Sequence, residues 1–368
     1  MTRTARGILS AVMPLCAVLL VAAAPAGARD GTERGSEWSA SHPFREGALL
    51  RVENRRGSVL VTGVPGADAV EVRARKWMEG GAPEDSARVF ALMEIRIEPD
   101  DHGGLSVGAF VPDPIYSAGD SWWDRLRSRR DPVRARVDLE ILAPARCETE
   151  IRTVSGDAAA RALEGPLRIE TERGDLLVEE VLGPVRVVGR HANVTVSEIR
   201  GDLDVRVTTG EVEARRVGGA LHARSSSGDL YLYDILGDAD VEGRAGDVLV
   251  EECAGRLRVD AESGDVEAIR PSGDVEIRTG LGDVWVRVEP GKSLRYHLES
   301  EGGNLDLAVP GDWSARIDAE TRTGAIQCFL PIELKRVSRS RLQGTAGNGD
   351  SDARLFAPGG EIRISRVD

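Results

Sequence analysis

The pattern of apolar and polar positions along the middle of the chain repeats every nine residues. Residues 156–290 divide without insertion into fifteen nonapeptides, and the first position is glycine in all of them except at Ala192. The third and fifth positions are apolar in every copy, and the fourth and sixth are mostly polar. This alternation is typical of a strand with one buried face, and Gly-Asp is typical of a turn. Each nonapeptide is therefore predicted to form one short strand and one corner.

The eighth position shows that successive nonapeptides are of two kinds. It is apolar in every second copy, as at Val181 and Cys253, and polar in most of the copies between, as at Glu172 and Arg244. The structural repeat is therefore eighteen residues. We predict an all-β fold, a single-stranded parallel β-solenoid (β-helix) with two short strands per 18-residue coil. Residues eighteen apart would then be vertical neighbours, at a spacing of about 4.8 Å.

The sequence before these repeats predicts an N-terminal β-rich cap over residues 48–145. Within it, residues 57–64 resemble one detached repeat unit. A short helix is predicted at 83–93, because proline lies near its start and acidic residues occupy its first turn. The strands 94–98 and 105–111 follow as a hairpin. Such a cap would cover the core and the sheet edges at one end of the solenoid.

Further segments complete the predicted domain organisation. Residues 1–28 place arginines before an apolar run and small residues at a cleavage position, which predicts a signal peptide and export to the periplasm, cell surface or medium, with no transmembrane anchor after cleavage. Residues 29–47 predict a flexible lead-in. The nonapeptide β-solenoid spans 146–290, and 291–368 predict longer coils and a C-terminal cap. Within the last segment, 338–352 are predicted to be a mobile loop because they are rich in Ser, Gly, Asn and Asp.

An insertion at residues 112–132 interrupts the strand pattern with Trp122, Trp123 and several arginines. One interpretation is a surface patch that binds anionic lipid or glycan through indole and guanidinium groups together. The other is a loop whose tryptophans pack against the end of the solenoid while its arginines remain in water. We favour the second.

Charge and cysteine content restrict the classes of partner. The net charge of −13 argues against nucleic acid, whose binding depends on clustered Lys and Arg. Cys147, Cys253 and Cys328 remain after the predicted cleavage, and an odd number cannot form a complete disulfide framework. We interpret all three as structural, with Cys253 facing the core above Ile235.

The sequence also predicts that the protein is not an enzyme. The five histidines lack metal-ligand spacing, and neither a Gly-x-Ser-x-Gly elbow nor a phosphate-binding loop occurs. Polysaccharide-acting enzymes on β-helices need loops that wall a cleft, and uniform nonapeptides leave no room for them. No cofactor and no metal site are predicted.

A column of acidic and amide side chains is predicted along one edge of the solenoid. These residues occupy the second position of alternate nonapeptides: Asp175, Asn193, Glu211, Asp229, Asp247, Asp265 and Asp283. Carboxylates about 5 Å apart could collect Ca²⁺, as in a calcium-binding β-roll. The additional glycines of that motif are missing here, so we favour carboxylates that accept hydrogen bonds from turn N–H groups.

The two outer faces of the solenoid are predicted to differ. One mixes charges of both signs in vertical neighbours, which is typical of a solvated, ion-paired surface. The other carries the candidate binding residues Tyr231, Tyr233, Leu249, Ile269 and Trp285, with Tyr231 directly beside Leu249. Exposed apolar patches often mark contact sites. The alternative is that the N-terminal region or its Trp-containing insertion covers this face.

The chain resembles the bacterial exported putative-adhesin family of β-strand-repeat proteins, a domain of unknown function. The resemblance is carried by 54–63 (Asn-Arg-Arg-Gly-Ser-Val-Leu-Val-Thr-Gly), by 137–144 (Val-Asp-Leu-Glu-Ile-Leu-Ala-Pro), by Ser-Gly-Asp corners and by the closing Gly-Glu-Ile-Arg-Ile. It covers nearly all of the sequence after the predicted signal peptide. The resemblance implies the repeat architecture and no catalytic residues.

These observations predict a non-catalytic, exported β-solenoid that acts as an adhesin-like or scaffold module of the cell envelope and binds an envelope protein or glycan. The alternatives are a calcium-binding β-roll and a polysaccharide-acting β-helix enzyme. A third possibility is self-association through an incompletely capped end.

Overall fold

The solenoid consists of stacked coils, and each regular coil contributes one strand to each of two long sheets. The computed structural model describes residues 33–80, 86–112, 134–289 and 294–367. Within these ranges, sheet A contains fifteen strands and sheet B sixteen. The predicted all-β solenoid with two strands per coil is confirmed.

The regular coils repeat every eighteen residues, and parallel strands pair in strict register. Val178 lies opposite Val196 in sheet A, and Val187 lies opposite Val205 in sheet B. Even-numbered strands of this region belong to sheet B and odd-numbered strands to sheet A: β8 (Glu148–Ser155), β9 (Ala158–Leu163), β10 (Leu167–Arg173), β11 (Leu176–Val181), β12 (Val185–His191), β13 (Val194–Ile199), β14 (Leu203–Thr209), β15 (Val212–Val217), β16 (Leu221–Ser227), β17 (Leu230–Ile235), β18 (Ala239–Ala245), β19 (Val248–Cys253), β20 (Leu257–Ser263), β21 (Val266–Ile269), β22 (Val275–Leu281) and β23 (Val284–Arg287).

The two kinds of nonapeptide differ in how their strands end. Strands of sheet B bury the third, fifth and seventh positions, as at Gly189 in β12, whereas strands of sheet A bury the third, fifth and eighth, as at Val181 in β11. The eighth side chain can turn inward because the residue before it, Glu180, has a φ of 56°. This left-handed conformation recurs at the same position in seven coils: Ala162, Glu180, Glu198, Arg216, Asp234, Glu252 and Arg270.

Glycine occupies the corners because neighbouring coils approach closely there. A Cβ atom on Gly228 would lie 2.1 Å from the carbonyl oxygen of Gly210, and one on Gly255 would lie 2.4 Å from that of Gly237. Gly228 also has a φ of 127°, which side chains with a Cβ rarely adopt. Ala192, the exception in the repeat, lies outside the positive-φ region.

The N-terminal elements add two coils to the solenoid and close its end. Strands β2 and β3 form a coil directly beside β8 and β9, and β6 and β7 form the next coil outward. Antiparallel strands then end both sheets, β4 and β1 in sheet A and β5 in sheet B. The elements are β1 (Glu33–Pro43), β2 (Leu49–Arg56), β3 (Val59–Val64), β4 (Ala69–Glu79), α1 (Ser86–Leu92), β5 (Glu94–Pro99), β6 (Leu105–Phe110) and β7 (Arg134–Pro144).

The structure of the N-terminal region differs from two predictions. The unit at 57–64 is not detached, because β3 pairs in parallel with β9 and continues the stack. Part of the predicted flexible lead-in, 33–43, is strand β1, paired antiparallel with β4 from Glu33 opposite Glu79 to Pro43 opposite Ala69. Its ordering comes from backbone pairing at a sheet edge, which polar side chains do not reveal. The predicted signal peptide at 1–28 lies outside the described residues.

The C-terminal elements also leave the sequential order. Strands β30 and β31 pair between the coil of β24 and β25 and the coil of β26 and β27. The hairpin of β28 and β29 ends sheet B. The elements are β24 (Arg295–Ser300), β25 (Leu305–Val309), β26 (Ala315–Thr321), β27 (Ile326–Cys328), β28 (Glu333–Val337), β29 (Arg341–Ala346), β30 (Ser351–Ala357) and β31 (Ile362–Arg366).

The position of β30 and β31 sets the order of the C-terminal corners. Gly303 stacks on Gly282, Gly360 stacks next, and Gly324 lies beyond Gly360. The predicted mobile loop at 338–352 is wrong for 341–346, which form β29, and for 351–352, which begin β30. Alternate residues of β29 are buried, and this pattern is hidden in a sequence dominated by small polar residues.

The core is a narrow apolar column between the sheets. Val178, Val196 and Leu232 are fully buried, and each such side chain contributes about 1.5–3 kcal/mol. In the longer C-terminal coils, the rings of Tyr296 and Trp313 pack edge to face, with centroids 6.1 Å apart. Among the described residues, no helix has the length and apolar character that crossing a membrane requires.

We expect Gly228→Ala to destabilise the solenoid by at least about 3 kcal/mol, because it combines an overlap with the neighbouring coil and a left-handed backbone. Gly66→Ala is the matched control, since Gly66 has a φ of 74° with no atom within 4 Å of the added Cβ. Strain without overlap should cost about 1–2 kcal/mol. Urea unfolding monitored by circular dichroism measures both. Equal losses of unfolding free energy in the two variants would show that close contact between coils is not what requires glycine at position 228.

We expect Glu180→Gly to stabilise the protein by about 0.5–1 kcal/mol, because glycine removes the strain of a left-handed residue at an exposed corner. Glu172→Gly is the matched control at an exposed position of β10, where glycine should destabilise by about 0.5–1 kcal/mol. Changes of opposite sign in the unfolding free energies of the two variants support strain at the Glu180 corner, and changes of the same sign contradict it.

Candidate functional site

Five predicted binding residues lie together on the outer face of sheet A, and we call them the aromatic patch: Tyr231, Tyr233, Leu249, Ile269 and Trp285. They belong to four consecutive strands, β17, β19, β21 and β23. Tyr231 pairs directly with Leu249, as predicted. All five side chains are half-buried. At about 4.8 Å per strand, the patch extends roughly 14 Å along the solenoid axis.

Glu267 lies inside the aromatic patch and was not singled out by the sequence analysis. Its register partners on either side are Leu249 and Trp285, and Ile269 follows two residues later on the same face. Among the described residues, Glu267 has no ion-pair or hydrogen-bond partner. Burial raises the pKa of Glu267, and the nearby charge of Glu251 raises it further. The eighteen-residue register places Glu267 in the patch, but a search restricted to apolar positions does not find it.

The tyrosines of the patch lie in an acidic environment. The Tyr231 hydroxyl donates a hydrogen bond to Asp229 Oδ2 at 3.3 Å. Burial, followed by the charges of Asp229 and Glu211, raises the pKa of Tyr231 to about 12. Burial also raises the pKa of Tyr233. Both hydroxyls are therefore neutral at physiological pH.

A guanidinium already stacks on one ring of the patch. The Arg215 guanidinium lies 4.4 Å from the centroid of the Tyr233 ring. Arg215 is held there by an ion pair with Glu213, its neighbour on β15. Cation–π contacts of this kind are worth about 0.5–2 kcal/mol. The face can therefore present an aromatic ring to a cation.

Trp122 and Trp123 of the insertion lie outside the described residues, and so does the rest of the segment from 113 to 132. Their proposed contact with lipid, glycan or the solenoid end stays a prediction.

The outer face of sheet B carries paired charges. Arg224 pairs with Glu242 at 3.0 Å, and Arg258 pairs with Asp260 at 2.8 Å. A groove of about 740 Å³ runs beside these side chains and is lined by Arg190, among others. Exposed pairs of this kind contribute about 0–1 kcal/mol each. Their main effect is to satisfy charge locally, which leaves this face with little net attraction for a charged partner.

The acidic column along the edge connects the coils to each other. Asp247 Oδ1 accepts the backbone N–H of Asp265 at 2.8 Å, and Asp265 Oδ1 accepts that of Asp283 at 2.8 Å. Asn193 continues the pattern by accepting the N–H of Glu211 at 3.1 Å. In each of these three bonds the donor is in the next coil, eighteen residues on. Within the described residues, no group of three or more His, Cys, Asp or Glu side chains is arranged to hold a metal ion.

The three described cysteines have the environment of structural residues. Cys147 and Cys253 are buried, Cys328 is half-buried, and all three are free thiols. Cys253 lies opposite Ile235, as predicted. Burial raises the pKa of Cys253 to about 11 and also raises the pKa of Cys147 and Cys328. Thiols with raised pKa values are poor nucleophiles at neutral pH.

We expect Glu267→Gln to raise the melting temperature at pH 7, because it removes a half-buried charge that has no partner in the described part of the chain. A carboxyl group whose pKa is raised by folding destabilises the folded state as pH rises through that raised pKa. The stability difference between wild type and Glu267→Gln should therefore shrink as pH falls toward and below the usual pKa of 4.5. Calorimetry from pH 4 to pH 8 tests this. A variant that melts below wild type at pH 7 would contradict it.

Several solved structures are similar over most of their length at low identity. One is described as a putative cell adhesion protein from Clostridium sporogenes ATCC 15579, with 12% identity, coverage of 91% of this chain and 100% of that chain, and a TM-score of 0.21. A second is a putative adhesin from Bacteroides fragilis NCTC 9343, with 12% identity, coverage of 74% of this chain and 97% of that chain, and a TM-score of 0.29. A third is a putative adhesin from Parabacteroides distasonis ATCC 8503, with 13% identity, coverage of 72% of this chain and 97% of that chain, and a TM-score of 0.33. At these TM-scores the likenesses carry no argument about this chain. No curated protein matches the sequence.

The family model described as Toastrack DUF4097 matches residues 189–365. The matched segment begins in β12 and ends in β31, so it contains the aromatic patch and the inserted C-terminal coil. It agrees with the family resemblance carried by the Gly-Asp corners and the closing strand. Residues 189–365 of this chain are therefore similar to the Toastrack family.

Proposed function

We propose that the protein is a non-catalytic binding module of the bacterial cell envelope, adhesin-like or scaffold-like, which contacts a partner protein or glycan through the aromatic patch. The observation that carries the proposal is the clustering of five apolar side chains at outward positions of four consecutive coils. Contiguous apolar patches of this kind mark contact sites more often than isolated exposed residues do. Tyrosine and tryptophan are also enriched among residues that dominate binding energy.

The scaffold supports surface contact better than catalysis. From β8 to β23 the connections between strands are only two to five residues long. Such short corners do not build the walls that a polysaccharide cleft requires. The patch residues are instead held on strands whose backbones pair on both sides. A rigid, shallow surface can bind a partner with little loss of conformational entropy.

The proposed location follows from the predicted signal peptide at residues 1–28. Export would bring the patch into contact with envelope proteins and glycans in the periplasm, at the cell surface or in the medium. The calcium-binding alternative is less favoured, because the carboxylates of the edge column accept backbone hydrogen bonds from the next coil.

We expect simultaneous replacement of the five patch residues by serine to weaken binding to isolated cell-envelope fractions by at least about tenfold, since the apolar contact area would be lost. The circular dichroism spectrum should remain that of a β-solenoid, because the side chains point away from the core. The matched control replaces five outward residues of sheet B by serine: Arg186, Arg206, His222, Arg224 and Arg258.

Co-sedimentation with envelope fractions measures binding for both variants. The proposal fails if the patch variant binds as wild type does, or if the sheet B variant loses binding equally. The single variants Tyr231→Ser and Trp285→Ser provide the same test should the fivefold variant unfold.

A further inference from the structure

We infer that the aromatic patch recognises a cationic side chain of a basic polypeptide, and that Glu267 supplies the opposing charge. This inference rests on the proposed function, since it names the chemistry of the partner for the same face. The bound group would be the ammonium of a lysine or the guanidinium of an arginine.

The first support is the unsatisfied charge of Glu267. Its nearest acidic neighbour on the face, Glu251, is paired with Arg270 at 2.7 Å. Glu213 is likewise paired with Arg215. Glu267 has no such partner among the described residues, although its flanks are Leu249 and Trp285. A half-buried carboxylate in apolar surroundings is destabilising unless a cation compensates it.

The second support is the arrangement of rings around that carboxylate. Trp285 is the direct register neighbour of Glu267, so the two residues lie side by side on adjacent strands whose backbones are about 4.8 Å apart. Within the described part of the chain, no guanidinium lies over the rings of Trp285 or Tyr231. Arg215 over Tyr233 shows that a cation fits against a ring of this face while it pairs with a carboxylate. A cation beside Glu267 would make the same two kinds of contact.

The third support is the sign of the surrounding field. After burial, the charges of Asp229 and Glu211 raise the pKa of Tyr231. Burial also raises the pKa of Tyr233, which the charge of Arg215 lowers and the charges of Glu213 and Glu251 raise. The basic residues next to the patch, Arg215 and Arg270, are already paired with acids. Arg287 bounds the patch on the last strand and remains exposed. Apart from Arg287, the charges next to the patch are acidic or already paired, so the patch favours positive charge over anionic lipid and nucleic acid.

The test uses an octalysine peptide as the probe and the same peptide acetylated at every Nε as its uncharged counterpart. Titration calorimetry at fixed, low ionic strength compares wild type, Glu267→Gln and the control Glu276→Gln. Glu276 is a half-buried acid on the outer face of sheet B, where it pairs with Arg278 at 2.8 Å. Because both variants replace a glutamate by glutamine, they change the net charge equally.

We expect wild type to bind octalysine and not the acetylated peptide. Glu267→Gln should weaken binding about tenfold, and Glu276→Gln less than twofold, because only Glu267 contacts the bound cation. Circular dichroism should confirm that both variants are folded, since glutamine preserves the shape of the side chain.

Three outcomes would overturn the inference: equal binding of the acetylated peptide, equal weakening by both variants, or no binding of octalysine by wild type. Equal weakening would mean attraction to the net charge of −13 rather than to this face. The proposed function is judged separately. If the fivefold serine variant loses envelope binding while Glu267→Gln retains it, the face is a contact surface whose partner is not cationic.

Discussion

The stacking of each coil directly on the one before is the constraint on which the rest of the structure depends. Backbone N–H groups at corners and strand starts bond to the next coil, as from Val194 to Glu211 at 2.8 Å. That approach leaves little space for a Cβ at the corners, so glycine occupies two columns, with Ala192 as the exception among the nonapeptides. With the corners in contact, a coil cannot slip by one residue, because slippage would turn the buried face outward. The register is therefore enforced along the whole solenoid.

A fixed register turns the linear sequence into columns of side chains, and each column has its own chemistry. Side chains of the acidic column along one edge accept hydrogen bonds from the next coil. The charges of sheet B largely neutralise one another. Sheet A differs because apolar and aromatic residues coincide in neighbouring coils around Glu267. The stabilising contacts of the fold and the candidate contacts with a partner thus use different columns, so the outer face of sheet A can vary without disturbing the stack.

Both ends of the solenoid are closed by the same topological device. The coil of β2 and β3 is inserted one position inward, beneath the coil of β6 and β7, and the coil of β30 and β31 is inserted beneath that of β26 and β27. Antiparallel strands then cover the outermost parallel strands, which limits pairing with other chains at three of the four sheet ends. Buried polar side chains secure the joins: Asn54 donates to the Val137 carbonyl at 2.8 Å, and Thr321 to that of Gly360 at 2.9 Å.

The sequence by itself determined the solenoid, its eighteen-residue coil and the pairing of Tyr231 with Leu249, because a repeated local pattern has to satisfy the same packing in every copy. It could not reveal that β1 and β29 are strands, since both lie near sheet ends where pairing rather than apolar alternation orders the chain. It also could not show that Gly360 lies between Gly303 and Gly324, because the order of coils at the ends depends on contacts between distant segments. For the same reason, only the tertiary structure showed that Glu267 has no partner among the described residues, which depends on where the surrounding charged side chains find theirs.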